Sequence, residues 1–209
     1  QGYTLRLTSI LPELSEILWQ ASQSGPLAAG AEIELDYLPF RITTCDSGSF
    51  DLSTPNWSGK ASYQDLSAPY LLARANPVKR VSLRFTSPTT FKTAGRHMPI
   101  PMPDLVFGSL LERWNAFAPI TLPAEVRRYA SECLAISRYQ LETRTAPLKS
   151  GSLRVGAIGQ ISYTTLNYDR YWMSLISLLA DFSLFSGVGA GTAQGLGQSR
   201  RFEPLNTPA

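Results

Sequence analysis

The sequence predicts an α+β fold, and three observations support this prediction. Short segments that alternate apolar and polar residues, as strands do, are separated by segments with apolar residues every three or four positions, as in helices. Hydrophobic residues make up 44% and charged residues 17% of the 209 residues, which is typical of a globular protein. The clearest elements of the second half of the chain follow the order β-α-β-β-α-β.

The first half of the chain contains fewer regular segments. Pro12 and Glu13 favour a helix start, because proline fits the first turn and an acidic residue there complements the helix dipole. The predicted elements are, in order, a strand over residues 3–9, a helix from Pro12 to Gly25, one or two strands over 33–44, a loop over 46–62 and a helix over 63–75.

The second half is more regular. Its predicted elements are a strand around Val81, Leu83 and Phe85, a loop over 87–102, helices over 104–117 and 125–132, paired strands over 134–143 and 154–163, a helix over 169–185 and a strand over 196–202. This is the ferredoxin-like arrangement. We therefore expect tandem ferredoxin-like folds, the first one incomplete. Residues 1–62 would form the back half of the N-terminal fold plus a loop, 63–78 a connecting helix, and 79–209 the C-terminal domain.

Charge is distributed unevenly along the chain. Residues 1–78 carry 4 Lys/Arg and 8 Asp/Glu, a net charge of −4, whereas residues 79–209 carry 15 and 8, a net charge of +7. A basic half favours contact with a polyanion, although a solvated surface would account for the same imbalance.

Cysteine usage and hydropathy suggest a cytoplasmic protein without a metal or cofactor. Cys45 and Cys133 have no metal-binding or redox spacing, and we interpret them as buried thiols. The chain starts with strand-like sequence and not with a signal peptide. The longest apolar run, residues 172–185, is too short and too polar to cross a bilayer.

A glycine-rich segment, residues 187–198, is the most specific motif. It reads Gly-Val-Gly-Ala-Gly-Thr-Ala-Gln-Gly-Leu-Gly-Gln. A dinucleotide-binding fingerprint follows a strand and opens a helix, whereas this segment follows a helix and opens a strand. It also lacks the Gly-Lys-Ser/Thr of a Walker loop. A nucleotide-binding enzyme that uses this segment is therefore disfavoured.

Together with the preceding Leu-Ala-Asp-Phe of residues 179–182, this segment resembles the C-terminal signature of the repeat-RNA-processing endoribonucleases of CRISPR systems. That family belongs to the repeat-associated mysterious proteins. Other segments resemble the same family, namely residues 2–8, 85–91 (Phe-Thr-Ser-Pro-Thr-Thr-Phe), 101–115, 137–144 and 155–159. Ala190-Gly191 departs from the family pattern, in which a larger residue and a lysine are common.

The resemblance implies that the protein binds CRISPR repeat RNA. It also implies that the intact protein cleaves precursor CRISPR RNA without metal, by attack of a ribose 2′-hydroxyl that leaves 2′,3′-cyclic phosphate and 5′-hydroxyl ends. The guide RNA 3′ stem would stay bound in an effector complex with other CRISPR subunits. The alternative is a guide-RNA-binding subunit that does not cut. The family's catalytic histidine lies near the first helix of the N-terminal fold, so we expect it outside this chain and leave the catalytic residue unassigned.

Candidate RNA-binding residues follow from the resemblance and from the clusters of basic residues. The candidates are Gly187, Gly189, Gly191, Gly195, Gly197, Arg144, Lys149, Arg154, Arg200, Lys92 and Arg96. Arg200 and Arg201 should point to opposite faces of their strand. The single histidine, His97, is interpreted as an exposed loop residue without a catalytic role. The helix aromatics are expected in the core, namely Trp114, Phe117, Trp172 and Phe182, while Arg113 could contact RNA or form a salt bridge.

Overall fold

The computed structural model describes residues 2–35, 37–46, 48, 57–72, 76–148 and 151–203. The chain divides into two compact units, Gln1–Ala61 and Ser62–Ala209. None of the helices in these described ranges is both long enough and apolar enough to cross a membrane. Cys45 is exposed and Cys133 is half-buried, both as free thiols, so the prediction of two buried cysteines is wrong.

The first unit contains one helix and one hairpin. Helix α1 spans Pro12–Ser24, and strands β1 (Glu32–Leu35) and β2 (Leu38–Arg41) pair antiparallel. The predicted helix is confirmed, including its end at Gly25. The strand predicted over residues 3–9 is wrong. These residues join no hydrogen-bonded ladder within the described chain, and alternation alone does not make a strand without a partner.

The second unit is built on a four-stranded antiparallel sheet. Its elements are α2 (Tyr63–Leu71), β3 (Arg80–Thr89), β4 (Phe91–Thr93), β5 (Arg96–Met98), α3 (Pro103–Phe117), α4 (Glu125–Cys133), β6 (Leu134–Pro147), β7 (Leu153–Thr165), α5 (Arg170–Ser186) and β8 (Ser199–Arg201). The strand order of the main sheet is β6-β7-β3-β8. Each of the two longer helices connects parallel strands with one strand between them, as a ferredoxin-like fold requires. The predicted α+β class is confirmed.

The core of this unit lies between one face of the sheet and helices α3 and α5. Trp114 of α3 meets Phe182 of α5 edge to face, with ring centroids 5.2 Å apart. Phe107 of α3 packs in the same way on Tyr163 of β7, at 5.5 Å. Phe117 was predicted to be buried, but it is 44% exposed because α3 ends at this residue.

The segment predicted as a loop over residues 87–102 contains a second hairpin. Strand β3 continues to Thr89, and β4 and β5 pair antiparallel. Ala94 and Gly95 between them both have positive φ, 47° and 74°, which is the conformation of a two-residue type I′ turn. The prolines of this segment favoured the prediction of a loop, so the hairpin was not predicted. Pro88 lies where the register between β3 and β7 shifts, a position that tolerates proline in a strand.

Candidate nucleic-acid interface

The glycine-rich loop, residues 187–198, is closed by backbone hydrogen bonds. All five of its glycines have positive φ, between 63° and 83°. The Val188 N–H donates to the Gly197 carbonyl at 2.8 Å, and the Gly197 N–H donates to the Pro88 carbonyl at 3.1 Å. The Ala190 N–H donates to the Thr90 carbonyl at 2.7 Å. The loop is therefore folded back on itself and attached to the end of β3.

Two glycines are required where backbones approach closely. A Cβ added at Gly197 would lie 1.9 Å from the Val188 carbonyl oxygen, and one at Gly189 would lie 2.3 Å from the Thr90 carbonyl oxygen. Both glycines are buried. Both glycines therefore shape the loop through their backbone and are not accessible to a ligand. The exposed edge of the loop is formed by residues 193–195.

Side chains of helix α3 also form hydrogen bonds with the backbone of the glycine-rich loop. The Gly189 N–H donates to Ser109 Oγ at 2.9 Å, and Arg113 donates to the carbonyl oxygens of Gly187 and Gly189. Burial lowers the pKa of Arg113, and the nearby charge of Glu112 opposes this effect. An arginine begins from an ordinary pKa so high that it stays charged at neutral pH. Arg113 therefore positions the loop, a role that the sequence left open.

The β4–β5 hairpin continues this surface with basic side chains. Lys92 and His97 lie opposite each other in the ladder, and Arg96 is exposed beside His97. Arg154, at the start of β7, places Nη1 3.1 Å from His97 Nδ1. Thr90, which holds the glycine-rich loop, directly precedes β4. The structure thus brings together the glycine-rich loop and two predicted RNA-binding residues, Lys92 and Arg154. Arg96 lies on the same hairpin, on the opposite face of the ladder from Lys92 and His97.

The surroundings of His97 do not suit a general base. Partial desolvation lowers its pKa, and the charges of Arg154 and Lys92 lower it further. When Nδ1 accepts a hydrogen bond from Arg154, the ring proton lies on Nε2, so the ring has no free lone pair to accept another proton. His97 is exposed, as predicted, and its lack of a catalytic role stays a prediction. It lies in a strand, however, and not in a loop.

Replacing Arg154 with glutamine is expected to raise the pKa of His97, because a cation that disfavours the charged imidazole is removed. His97 is the single histidine of the chain, so its ring proton resonances can be followed by NMR during a pH titration. The variant Arg128→Gln removes the same charge from α4 and should leave the titration unchanged. Equal midpoints for the wild type and Arg154→Gln would contradict the observed contact.

The remaining predicted cations are more dispersed. Arg144 on β6 forms an exposed ion pair with Glu142, 2.9 Å from Nη2 to Oε1. Such a pair contributes about 0–1 kcal/mol, so a phosphate could replace the carboxylate at little cost. Lys149 lies outside the described residues.

Arg200 and Arg201 point to opposite faces of the sheet, as the alternation predicted. Arg201 faces the helices and pairs with Asp181, while Arg200 lies on the other face opposite Arg84. Arg200 is only 5% exposed, so little of its side chain is accessible to RNA. Within the described ranges, no group of three or more His, Cys, Asp and Glu side chains is arranged to hold a metal ion.

Comparison with known proteins identifies the family. The family model for the CRISPR-associated endoribonuclease Cas6 matches residues 83–199, which include most of the sheet, the hairpin and the glycine-rich loop. This chain belongs to the Cas6 family. Its predicted membership of the CRISPR repeat-RNA endoribonucleases is thereby confirmed.

Individual relatives give a consistent result. A Cas6 of Mycobacterium tuberculosis is 30% identical over 128 residues, which is 61% of this chain and 40% of that protein. A Cas6 of Streptococcus thermophilus is 26% identical over 144 residues, covering 66% of this chain and 58% of that protein. The chain therefore spans about half the length of the curated Cas6 proteins that it matches.

Solved Cas6 structures share the fold. A Cas6 product complex superposes with a TM-score of 0.74 at 30% identity, covering 93% of this chain and 77% of the other. A Cas6 substrate-mimic complex gives 0.73 at 31% identity, with coverages of 91% and 76%. Cas6 of Thermus thermophilus gives 0.62 at 25% identity, with coverages of 70% and 60%. The predicted class of tandem ferredoxin-like folds, which is that of Cas6, is confirmed.

Proposed function

We propose that this chain binds CRISPR repeat RNA, and that the whole protein cleaves precursor CRISPR RNA by a metal-independent reaction. The observation that carries the proposal is the contiguous surface formed by the glycine-rich loop, the β4–β5 hairpin and Arg154. Of its cations, Lys92 and Arg96 are exposed and Arg154 is half-buried, and they lie beside a backbone segment whose closed conformation is already formed. Phosphate contacts of this kind supply much of the affinity in protein–nucleic acid complexes.

Membership of the Cas6 family supports the same substrate. The solved relatives include a product complex and a substrate-mimic complex, and the superposition on each covers more than nine-tenths of this chain. The interface described above lies within the residues that match the family model. These relatives thus support a repeat RNA as the ligand of this surface.

The proposed reaction is a transesterification within the RNA strand. A general base takes the proton of a ribose 2′-hydroxyl, and the 2′-oxygen forms a bond to the adjacent phosphorus. The bond from phosphorus to the 5′-oxygen breaks, and a general acid protonates that oxygen. The products are a 2′,3′-cyclic phosphate and a 5′-hydroxyl. Lys92, Arg96 and Arg154 would stabilise the negative charge of bound phosphates.

The general base is proposed to lie outside these 209 residues. The Nδ1 lone pair of His97 is engaged by Arg154, and this chain covers less than two thirds of the curated relatives. A further part of the proposal is that the cut guide RNA keeps its 3′ stem bound in a CRISPR effector complex. The second candidate function is a guide-RNA-binding subunit that does not cut.

Incubation with the associated repeat RNA in EDTA tests the proposal. The complete protein from the native gene and the 209-residue chain would be compared on denaturing gels, with the product ends identified by phosphatase and kinase treatment. We expect the complete protein to cut and this chain to bind without cutting. Loss of a general base lowers a rate by about 10²–10⁴-fold, so the two proteins should be clearly distinguishable.

The other outcomes separate the alternatives. Binding by both proteins without cleavage would favour the non-cutting subunit. Cleavage by the complete protein that EDTA abolishes would contradict metal independence. Cleavage by the 209-residue chain alone would contradict an external base, and His97→Ala would then be the first variant to assay.

A further inference from the structure

Strand β6 forms one edge of the main sheet and is exposed along most of its length. Its inner edge is paired with β7, and among the described residues no strand is paired with its outer edge. Residues 137–140 and 142–145 are exposed, while Leu141 is half-buried. A strand of this kind presents a row of backbone N–H and C=O groups with which a further strand can pair.

The usual protections of an edge strand are confined to the two ends of β6. Proteins block such edges with short strands, prolines or bulges. Strand β6 has 14 residues, against a typical strand length of about 5–6. Its bulge lies between Ile136 and Arg138, and its proline is the last residue, Pro147. The segment between them keeps a regular register with β7 and is open to pairing.

The charges on the exposed part of β6 are complementary to those of a second copy of the strand. Arg138 and Glu142 lie four residues apart, so their side chains point to the same face of the sheet. When a second β6 is placed antiparallel about a two-fold axis at Gln140, Arg138 of each copy lies opposite Glu142 of the other. Opposite charges that face each other across two strands stabilise their pairing. Such an interface is isologous, because the same patch of both copies meets itself.

Both charged side chains are able to make these contacts. Arg144 donates to Glu142 from Nε at 3.2 Å and from Nη2 at 2.9 Å, and both bonds end on Oε1. Oε2 of the same carboxylate is left for an arginine of the second copy. Arg138 is exposed, and among the described residues it forms no ion pair. Each copy therefore offers one cation and one acceptor oxygen.

Other registers that align the same faces lack this match. An axis one residue further along would place Arg138 opposite Arg144, and an axis two residues along would place Glu142 opposite its own copy. Like charges directly opposite each other are destabilising. An axis at Thr143 matches opposite charges again, but it brings Pro147 into the ladder, and proline has no N–H to donate.

The other face of this edge supplies an apolar contact. Tyr139 is 71% exposed, and Leu141 is half-buried. In the same antiparallel arrangement, Tyr139 of each copy lies opposite Leu141 of the other. Association would remove their apolar surface from water, and tyrosine is enriched at protein interfaces.

We propose that two copies of this chain associate through β6, antiparallel about a two-fold axis at Gln140, so that their two main sheets become one sheet of eight strands. The inference goes beyond the proposed function and does not depend on it. The ladder spans residues 137–143 of each copy, which is fewer than the roughly 20–30 residues a side of a standard interface. We therefore expect a dimer that dissociates in the micromolar range.

Sedimentation velocity of the 209-residue chain over a concentration series tests the proposal, after RNA carried over from purification has been removed at high salt. Two variants place like charges opposite one another, since Arg138→Glu opposes two carboxylates and Glu142→Arg opposes two arginines. In a heterodimer of these two variants, opposite charges face each other again at both contacts. Both variants stay net positive, from +3 in the wild type, so net charge does not attract one to the other.

The control variant is Arg128→Glu, which makes the same charge change on α4. Thermal melting of each variant verifies that it is folded. We expect the wild type and the control to dimerise alike, and each β6 variant alone to self-associate roughly tenfold more weakly, because two favourable charge pairs become repulsive. An equimolar mixture of the two β6 variants should regain dimers of near wild-type affinity.

Three results would overturn the inference. A wild-type chain that stays monomeric throughout the series would leave the β6 edge to RNA or to a different protein. Dimers that persist equally in both β6 variants would place the interface elsewhere on the chain. Failure of the mixture to recover the dimers that the single variants lose would contradict the register at Gln140. Since RNA is absent from these measurements, repeat binding is tested separately from the inference.

Discussion

Replacing Gly197 with alanine is expected to lower the free energy of unfolding by about 3 kcal/mol, because a left-handed conformation costs about 1–2 kcal/mol and overpacking about 1–3 kcal/mol. The new Cβ would lie 1.9 Å from the Val188 carbonyl oxygen. Val188 cannot withdraw easily, since its own N–H is bonded to the Gly197 carbonyl at 2.8 Å. The substitution is therefore expected to break the hydrogen bond between Val188 and Gly197 that closes the glycine-rich loop. Urea unfolding followed by tryptophan fluorescence would measure the loss.

Gly195→Ala is the matched control for this prediction. Gly195 has φ of 83°, close to the 68° of Gly197, but nothing lies within 4 Å of a Cβ added there. Its substitution isolates the conformational cost, about 1–2 kcal/mol. The Gly197→Ala variant should also bind repeat RNA less tightly, if the closed loop shapes the interface. Equal destabilisation by the two substitutions would show that close packing of the loop contributes nothing.

Local features of this fold were predictable from the sequence because their signals are local. The spacing of apolar residues located α3 and α5 to within one or two residues of their observed ends. Alternation placed Arg200 and Arg201 on opposite faces of β8. The hairpin of β4 and β5 was missed, because Ala94-Gly95 has the positive φ values of a type I′ turn but is not one of the residue pairs that favour it. The prolines around it, at positions 88, 99, 101 and 103, also favoured the prediction of a loop.

The candidate site was less predictable, because its contacts join distant residues. The glycine spacing indicated a special backbone, but it did not show that Ser109 and Arg113 of α3 bind that backbone. Nothing in the sequence places Arg154 against His97, which is 57 residues away.

Replacing Asp181 with alanine is expected to destabilise the second unit by about 3–5 kcal/mol, the typical cost of leaving one member of a buried ion pair without its partner. Asp181 lies on α5 and is 3% exposed. Its carboxylate accepts from Arg201 Nη1 at 3.2 Å and from the Tyr70 hydroxyl. The Arg201 Nη1 also donates to the Tyr70 hydroxyl oxygen at 2.9 Å. This network connects α2, α5 and β8.

The pKa shifts in this network show what the alanine variant would leave behind. Burial raises the pKa of Asp181, with the charge of Arg201 opposing it, so the carboxylate is costly to bury. Burial alone would lower the pKa of Arg201, but Asp181 and Tyr70 raise it overall. Without Asp181, a guanidinium would remain buried with a neutral hydroxyl. The large loss thus reflects an uncompensated charge, and not the net contribution of the ion pair.

Two further variants test that explanation. Glu112→Ala breaks an exposed ion pair with Arg127, 3.6 Å apart, and should cost less than about 1 kcal/mol. The double variant Asp181→Leu/Arg201→Met removes both buried charges and should recover most of the stability lost in Asp181→Ala. Chemical unfolding of the set gives the comparison. If the double variant is as unstable as Asp181→Ala, then the packing and hydrogen bonds of the network, and not an unpaired Arg201, account for the loss.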